Sequence, residues 1–128
     1  MIGQLKTSLR VNGREYAIKP DFRNILTIIE AYNDENLKAQ EKACICLTRL
    51  YETIPEDIEG AYRAAIDFID NGAQDNGKQP ARLIDWAKDE SIMFPAINKV
   101  AGFETRTADF IHWHTFLGYF MEVDDGVW

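Results

Sequence analysis

The chain has little of what several functional classes require. Two cysteines in 128 residues are too few for a disulfide framework. Cys44 and Cys46 stand two apart on an expected helix, where their side chains point in different directions, so a mutual bond is geometrically poor. Reduced, partly buried thiols are the expectation. Basic residues are outnumbered: 14 Lys and Arg against 21 Asp and Glu give a formal net charge of −7. That balance argues against nucleic acid as a partner, which calls for a basic patch, and against an anionic membrane surface. No apolar run approaches the roughly 18 to 20 residues that cross a bilayer. Residues 1–6 lack the apolar core of a signal peptide, so a protein made and kept in a cytoplasm is expected. Glycine-rich phosphate loops are missing too: Asn71-Gly72 through Gly77-Lys78 lacks P-loop spacing and comes after a helix, not a strand.

The rest of the composition is ordinary for a folded, soluble chain: 46% apolar and 27% charged residues, enough to build a core and inconsistent with global disorder. The length predicts one domain over residues 1–128. Asn12-Gly13 signals a two-residue type I′ hairpin within residues 7–19. This register pairs Val11 with Arg14, Leu9 with Tyr16 and Thr7 with Ile18, and places Leu9, Val11, Tyr16 and Ile18 on one face. A lone hairpin is marginal in water, so that face must lie on helices.

Beyond the hairpin the apolar spacing turns helical. Asp21 is a natural N-cap for a first helix to about Asn33, with Phe22, Ile25, Leu26, Ile29 and Tyr32 apolar. A second helix, about 37–51, is expected to bury Cys44, Leu47 and Tyr51. A third starts at Ile54-Pro55-Glu56-Asp57 with Pro55 in its first position; its stripe is Ile58, Ala61, Tyr62, Ala65, Phe68 and Ile69. Residues 71–80 hold two glycines and no large apolar side chain, and read as a mobile loop. A fourth helix runs from Ala81 with Leu83, Trp86, Ala87 and Phe94 inward. Pro95 should end or kink it, and any continuation over Ala96 to Ala101 should stop at Gly102. The last helix, capped by Thr105 or Thr107, runs to about Val123 with Phe110, Trp113, Leu117 and Phe120 on one stripe. The fold class is mainly α, a compact domain of about five helices with a small N-terminal hairpin.

Candidate chemistry is sparse. Cys44, Cys46, His112 and His114 are potential zinc ligands. Each pair is spaced i, i+2, which on a helix splays the side chains by roughly 200°, whereas helical metal pairs use i, i+3 or i, i+4. No metal or cofactor is expected; one histidine should bond near the core and the other face solvent. Neither cysteine has a local nucleophile signature, and the carboxylate runs (Glu56, Asp57, Glu59; Asp85, Asp89, Glu90) suit solvated faces and helix starts. No catalytic residue is expected. The aromatic surplus near the end is different. Phe110, Trp113, Phe116, Tyr119 and Phe120 cover more than one helical face. Core packing accounts for such residues in general, yet Trp and Tyr also dominate interface hot spots. Trp113, Phe116, Tyr119 and Phe120 are therefore the candidate partner-binding residues, and an acidic helical protein with an apolar groove would suit a helical partner.

Five motifs in order carry a resemblance: Val11-Asn12-Gly13-Arg14-Glu15-Tyr16; Asp21-Phe22-Arg23; Ile54-Pro55-Glu56-Asp57; Asp85-Trp86 with Asp89; and Ile111-His112-Trp113-His114-Thr115-Phe116. Together they resemble the "gene product fifteen" family of siphophages and prophages of Gram-positive bacteria, over nearly the whole chain. Such proteins are typically encoded between the major tail protein and the tape measure protein, the position of tail assembly chaperones. The resemblance thus implies a non-enzymatic chaperone in the host bacterial cytoplasm that binds the tape measure protein, with other tail proteins and a homo-oligomer as further partners to test. A structural tail component retained in the virion is the alternative, and a small metal-binding protein a third reading. Two departures stand out. Pro95 and Gly102-Phe103 interrupt an expected helical stretch. The chain also stops at residues 124–128, where similar proteins continue into a basic helical segment, so a missing C-terminal extension is expected.

Overall fold

A computed structural model of the chain describes residues 4–71, 80–84, 86 and 90–127, with the side chains of 90–92 and 124–127 left aside. The N-terminal ribbon pairs β1 (Ser8–Val11) with β2 (Arg14–Ala17) antiparallel in the expected register, Leu9 opposite Tyr16 and Val11 opposite Arg14. Asn12 and Gly13 hold φ of 54° and 81°, the left-handed pair that a type I′ turn demands. Ile18 donates its N–H to the Thr7 carbonyl at 3.0 Å, extending the pairing as expected. The ribbon also acquires a partner that periodicity does not reveal. Ile18 bridges Tyr51, with the Lys19 N–H on the Leu50 carbonyl and the Glu52 N–H on the Ala17 carbonyl.

Helix α1 is Phe22–Tyr32, capped by the Asp21 side chain. Helix α2 is Ala39–Leu50, entered through a Lys38 N–H bond to the Glu41 carboxylate, half of a capping box. It buries Cys46, Leu47 and Leu50 while Cys44 is exposed, correcting the expected inward cysteine. Helix α3 is Ile58–Asp70, one turn later than the Pro55 start predicted. Asp57 caps it by accepting the Gly60 N–H at 3.0 Å. A Cβ on Gly60 would lie 2.3 Å from that carboxylate as placed, so a side chain there would require the Asp57 carboxylate to shift. Ile58 is consequently exposed.

The fourth helix also departs from the prediction. Ala81–Leu83 forms only a 3₁₀ turn, and helix α4 is Glu90–Ala101. Leu83 faces out, at 49% exposure. Helix α4 runs through Pro95, which is exposed; on a solvent face, water meets the acceptor that a proline leaves unpaired. Gly102, with φ of 84°, does come directly after the last helical residue. Helix α5 is Trp113–Val127, well after Thr105. The reason lies in a local network: the Thr105 N–H and hydroxyl both bond to Asn98 Oδ1, at 2.8 and 2.6 Å. Thr105–Thr107 is thereby held as a 3₁₀ turn, and Phe110 precedes the helix, 57% exposed. The loop expected at 71–80, apart from Asn71 and Pro80, lies outside the described residues, as do Asp85, Ala87 and Asp89.

Packing joins these elements around one apolar cluster. Helix α1 lies against α2 and α5, α3 against α2 and the ribbon, and α4 against α5. The centre of the cluster is aromatic. Phe22 stacks on Phe116 with ring centroids 4.2 Å apart, and Trp86 meets Trp113 edge-on at 5.7 Å; pairs in these geometries add about 0.5 to 1.5 kcal/mol beyond the area they bury. A partly buried ion pair, Asp70 with Arg82 at 2.9 Å, ties the end of α3 to the 3₁₀ turn. Arg82 also donates to the Tyr32 hydroxyl at the end of α1.

Candidate functional site

Three of the five sequence motifs meet in space: Trp86 packs on Trp113 in the core, and the Asp21-Phe22-Arg23 motif and the motif at residues 111–116 are joined by hydrogen bonds. Asp21 Oδ1 accepts the Arg23 N–H at 2.9 Å and starts α1, while Oδ2 accepts the Ile111 N–H at 3.1 Å. Phe22 donates its N–H to the Ile111 carbonyl, and Trp113 donates to the Pro20 carbonyl at 2.7 Å. Arg23 returns to Asp21 with its guanidinium and reaches on to the carbonyls of Ala108 and Asp109, at 2.7 and 3.1 Å. Burial opposes ionisation of Asp21, but the bonds from Arg23 and Ile111 outweigh it and hold the carboxyl below its usual range. Asp21-Phe22-Arg23 and Ile111-His112-Trp113 are therefore one clasp, and its chemistry is structural.

The histidines belong to the same joint. His112 lies just before α5 and accepts the His114 N–H at Nδ1, 3.0 Å away, which makes it the N-terminal cap. Its Nε2 then carries the proton and donates to the Lys6 carbonyl, a tautomer assigned from the network. His114 bonds through Nε2 to the Phe68 carbonyl at 2.8 Å. The rings lie 5.2 Å apart, and both touch Phe68. Burial pushes the His114 pKa down, with the neighbouring His112 acting in the same direction against the Phe68 bond. The expected splay of two helical side chains, one of them in solvent, is thus corrected. One residue caps the helix, and both rings bond to backbone carbonyls. Cys46 is buried, its thiol pushed up to about 12 by desolvation, and Cys44 is exposed. Among the described residues no group of three or more His, Cys, Asp and Glu is placed to hold a metal ion.

The four aromatic candidates are placed unequally. Trp113 and Phe116 are 0% exposed and Phe120 is buried; the Trp113 indole N–H donates to the Ile69 carbonyl at 2.8 Å. Tyr119 alone keeps a surface, half-buried and edge-on to the exposed Phe103.

A different apolar surface is open. A cleft of about 530 Å³ lies between α1 and the segments around Leu83 and Phe94, floored by Phe22, Ile29, Trp86 and Met93. Leu26 and Leu83 line its walls, with Arg23 and Arg106 at one end and Glu30 and Asn33 at the other. The spacing of Leu26 and Leu83 fits a buried stripe, and for that reason both are expected in the core. The signal that could have separated them is the polar company of Arg23, Glu30 and Asn33 on the same face of α1.

The result is a small helical protein with an N-terminal ribbon, two of its sequence motifs joined as a clasp and an apolar cleft beside them. The chain belongs to the bacteriophage Gp15 family: a family model described as "Bacteriophage Gp15 protein" matches residues 1–127. No curated protein and no solved structure matches the chain. Among the described residues no helix is long and apolar enough to cross a membrane.

Proposed function

We propose that this chain is a tail assembly chaperone of a siphophage or prophage of Gram-positive bacteria. It acts in the host cytoplasm, without catalysis, by binding the tape measure protein before the tail tube polymerises. Membership of the bacteriophage Gp15 family over residues 1–127 carries this reading. Physical features support it. The chain is acidic, with net charge −7, and leaves an apolar cleft open beside α1, a surface of the kind that receives amphipathic helices.

Co-expression with the tape measure protein of the same phage tests the proposal. The expected result is a soluble tape measure protein that co-purifies with this chain. A tape measure protein that stays insoluble and unbound would end the reading.

A further inference from the structure

We propose that the cleft beside α1 is the docking site for one amphipathic helix, and that its rim selects a helix with a basic residue next to Glu30. The identity of that helix as a tape measure segment rests on the function proposed above; the location and the charge preference rest on the geometry of the cleft.

The cleft has two distinguishable ends. At one, Arg23 donates to the Arg106 carbonyl, and the Arg106 guanidinium lies over the Phe94 ring, 5.2 Å from its centroid. At the other, Asn33 donates to the Arg82 carbonyl, next to Leu83. From Arg23 to Asn33 the α1 wall rises about 15 Å at 1.5 Å per residue, close to three turns of a docked helix. An i, i+3/i+4, i+7 stripe of that length can present three apolar side chains to Leu26, Leu83 and Trp86. A strand would present alternate side chains over a longer run and leave its backbone unpaired against an apolar wall.

Charge decides the occupant's polar residues. Each arginine lining the cleft already has a carboxylate of its own, Arg23 with Asp21 and Arg106 with Glu104. The Arg82 guanidinium, behind the far end, is paired with Asp70. Glu30 lines the cleft, is exposed, and has no ion pair among the described residues. Among the described residues the rim is therefore negative at the Glu30 end, and the −7 charge of the chain reinforces attraction of a basic helix. A lysine or arginine flanking the apolar stripe fits this rim; an acidic residue there is repelled.

The test measures binding of the co-expressed tape measure protein, and of overlapping synthetic peptides from it, to the full chain carrying Leu83→Asp, Glu30→Lys or Ile58→Asp. All three positions are exposed, so folding, checked by circular dichroism and melting temperature, should survive. Leu83→Asp and Glu30→Lys should each weaken binding at least about tenfold, as loss of a hot-spot contact does. Ile58→Asp, an exposed apolar position outside the cleft, should stay within about twofold. The tightest peptide should carry a basic residue beside its apolar stripe, and replacing that residue by Glu should weaken the wild type while restoring binding to Glu30→Lys. If the unaltered chain binds the tape measure protein and the cleft variants bind equally well, the docking site is wrong and the chaperone reading survives. Cleft variants that lose only self-association would also overturn the proposal, with a second copy of this chain as the occupant. No binding by the unaltered chain would overturn both.

Discussion

Asp21 holds Ile111. One carboxylate oxygen begins α1, and the other accepts a backbone N–H ninety residues further along the chain. Replacing Asp21 by Ala removes an N-cap worth about 1 kcal/mol and strands the Ile111 N–H, while Arg23 loses its ion pair but keeps its carbonyl acceptors, for a total loss of about 2 to 4 kcal/mol. Chemical denaturation should show this cost. The pH dependence has a fixed sign. Because the carboxyl is held below its usual range in the fold, its stabilisation is present above the ordinary value of about 3.9 and disappears as pH falls through the lowered folded value. Asp21→Ala should therefore flatten the acid limb of the stability curve.

His114 adds a second acid-side loss, at higher pH. Burial lowers its pKa in the fold, so the unfolded chain takes up its proton first. Stability from the neutral ring is complete above the ordinary imidazole value of about 6.5 and is lost as pH falls from there through the folded value. Melting temperature should drop between pH 8 and pH 5 (roughly the span of histidine titration), and His114→Gln should shrink that drop. An unchanged pH profile in the variant would show that another group carries the dependence.

Trp113 and Tyr119 are separable by stability alone. Trp113 is fully enclosed and bonded to the Ile69 carbonyl, so Trp113→Ala should cost about 3 to 5 kcal/mol. Trp113→Phe should cost about 1 to 3 kcal/mol, chiefly by leaving that carbonyl unpaired. Tyr119 is half-buried, and Tyr119→Ala should stay below about 1.5 kcal/mol. Urea titrations of the three variants check the order.

The cysteines predict a simple pattern of reactivity. Cys44 is exposed, whereas Cys46 is buried with its thiol pushed up to about 12, and the thiolate is the reactive form. A thiol reagent at neutral pH should modify one cysteine in the folded chain and both after unfolding. Cys46→Ser should leave the fast reaction intact.

Legibility in the sequence tracks the range of the forces involved. The Asn12-Gly13 turn fixes its own register, and the Asp21 cap lies one residue before its helix, so both are readable. Pro55 looks like a helix start because proline suits that position, but the cap goes to Asp57, where Gly60 admits the carboxylate. Thr105 looks like a cap and is instead held by Asn98. The true cap of α5, His112, has no strong propensity for the role; it is held there by the Asp21 bridge and the Lys6 carbonyl. Contacts across ninety or more residues leave no periodic trace. The cleft is hidden for a related reason. Leu26 and Leu83 have core-like spacing, and only the packed fold leaves them on an open wall.

On the function proposed above, this Gp15-family chain serves assembly and does not remain in the product. Quantitative mass spectrometry of purified virions and of tail assembly intermediates from the same lysate measures that directly. The protein should be found bound with the tape measure protein in intermediates and be absent from virions, or far below one copy per tail subunit ring. A stoichiometric, reproducible copy number in mature particles would contradict the proposal and make the protein a structural tail component.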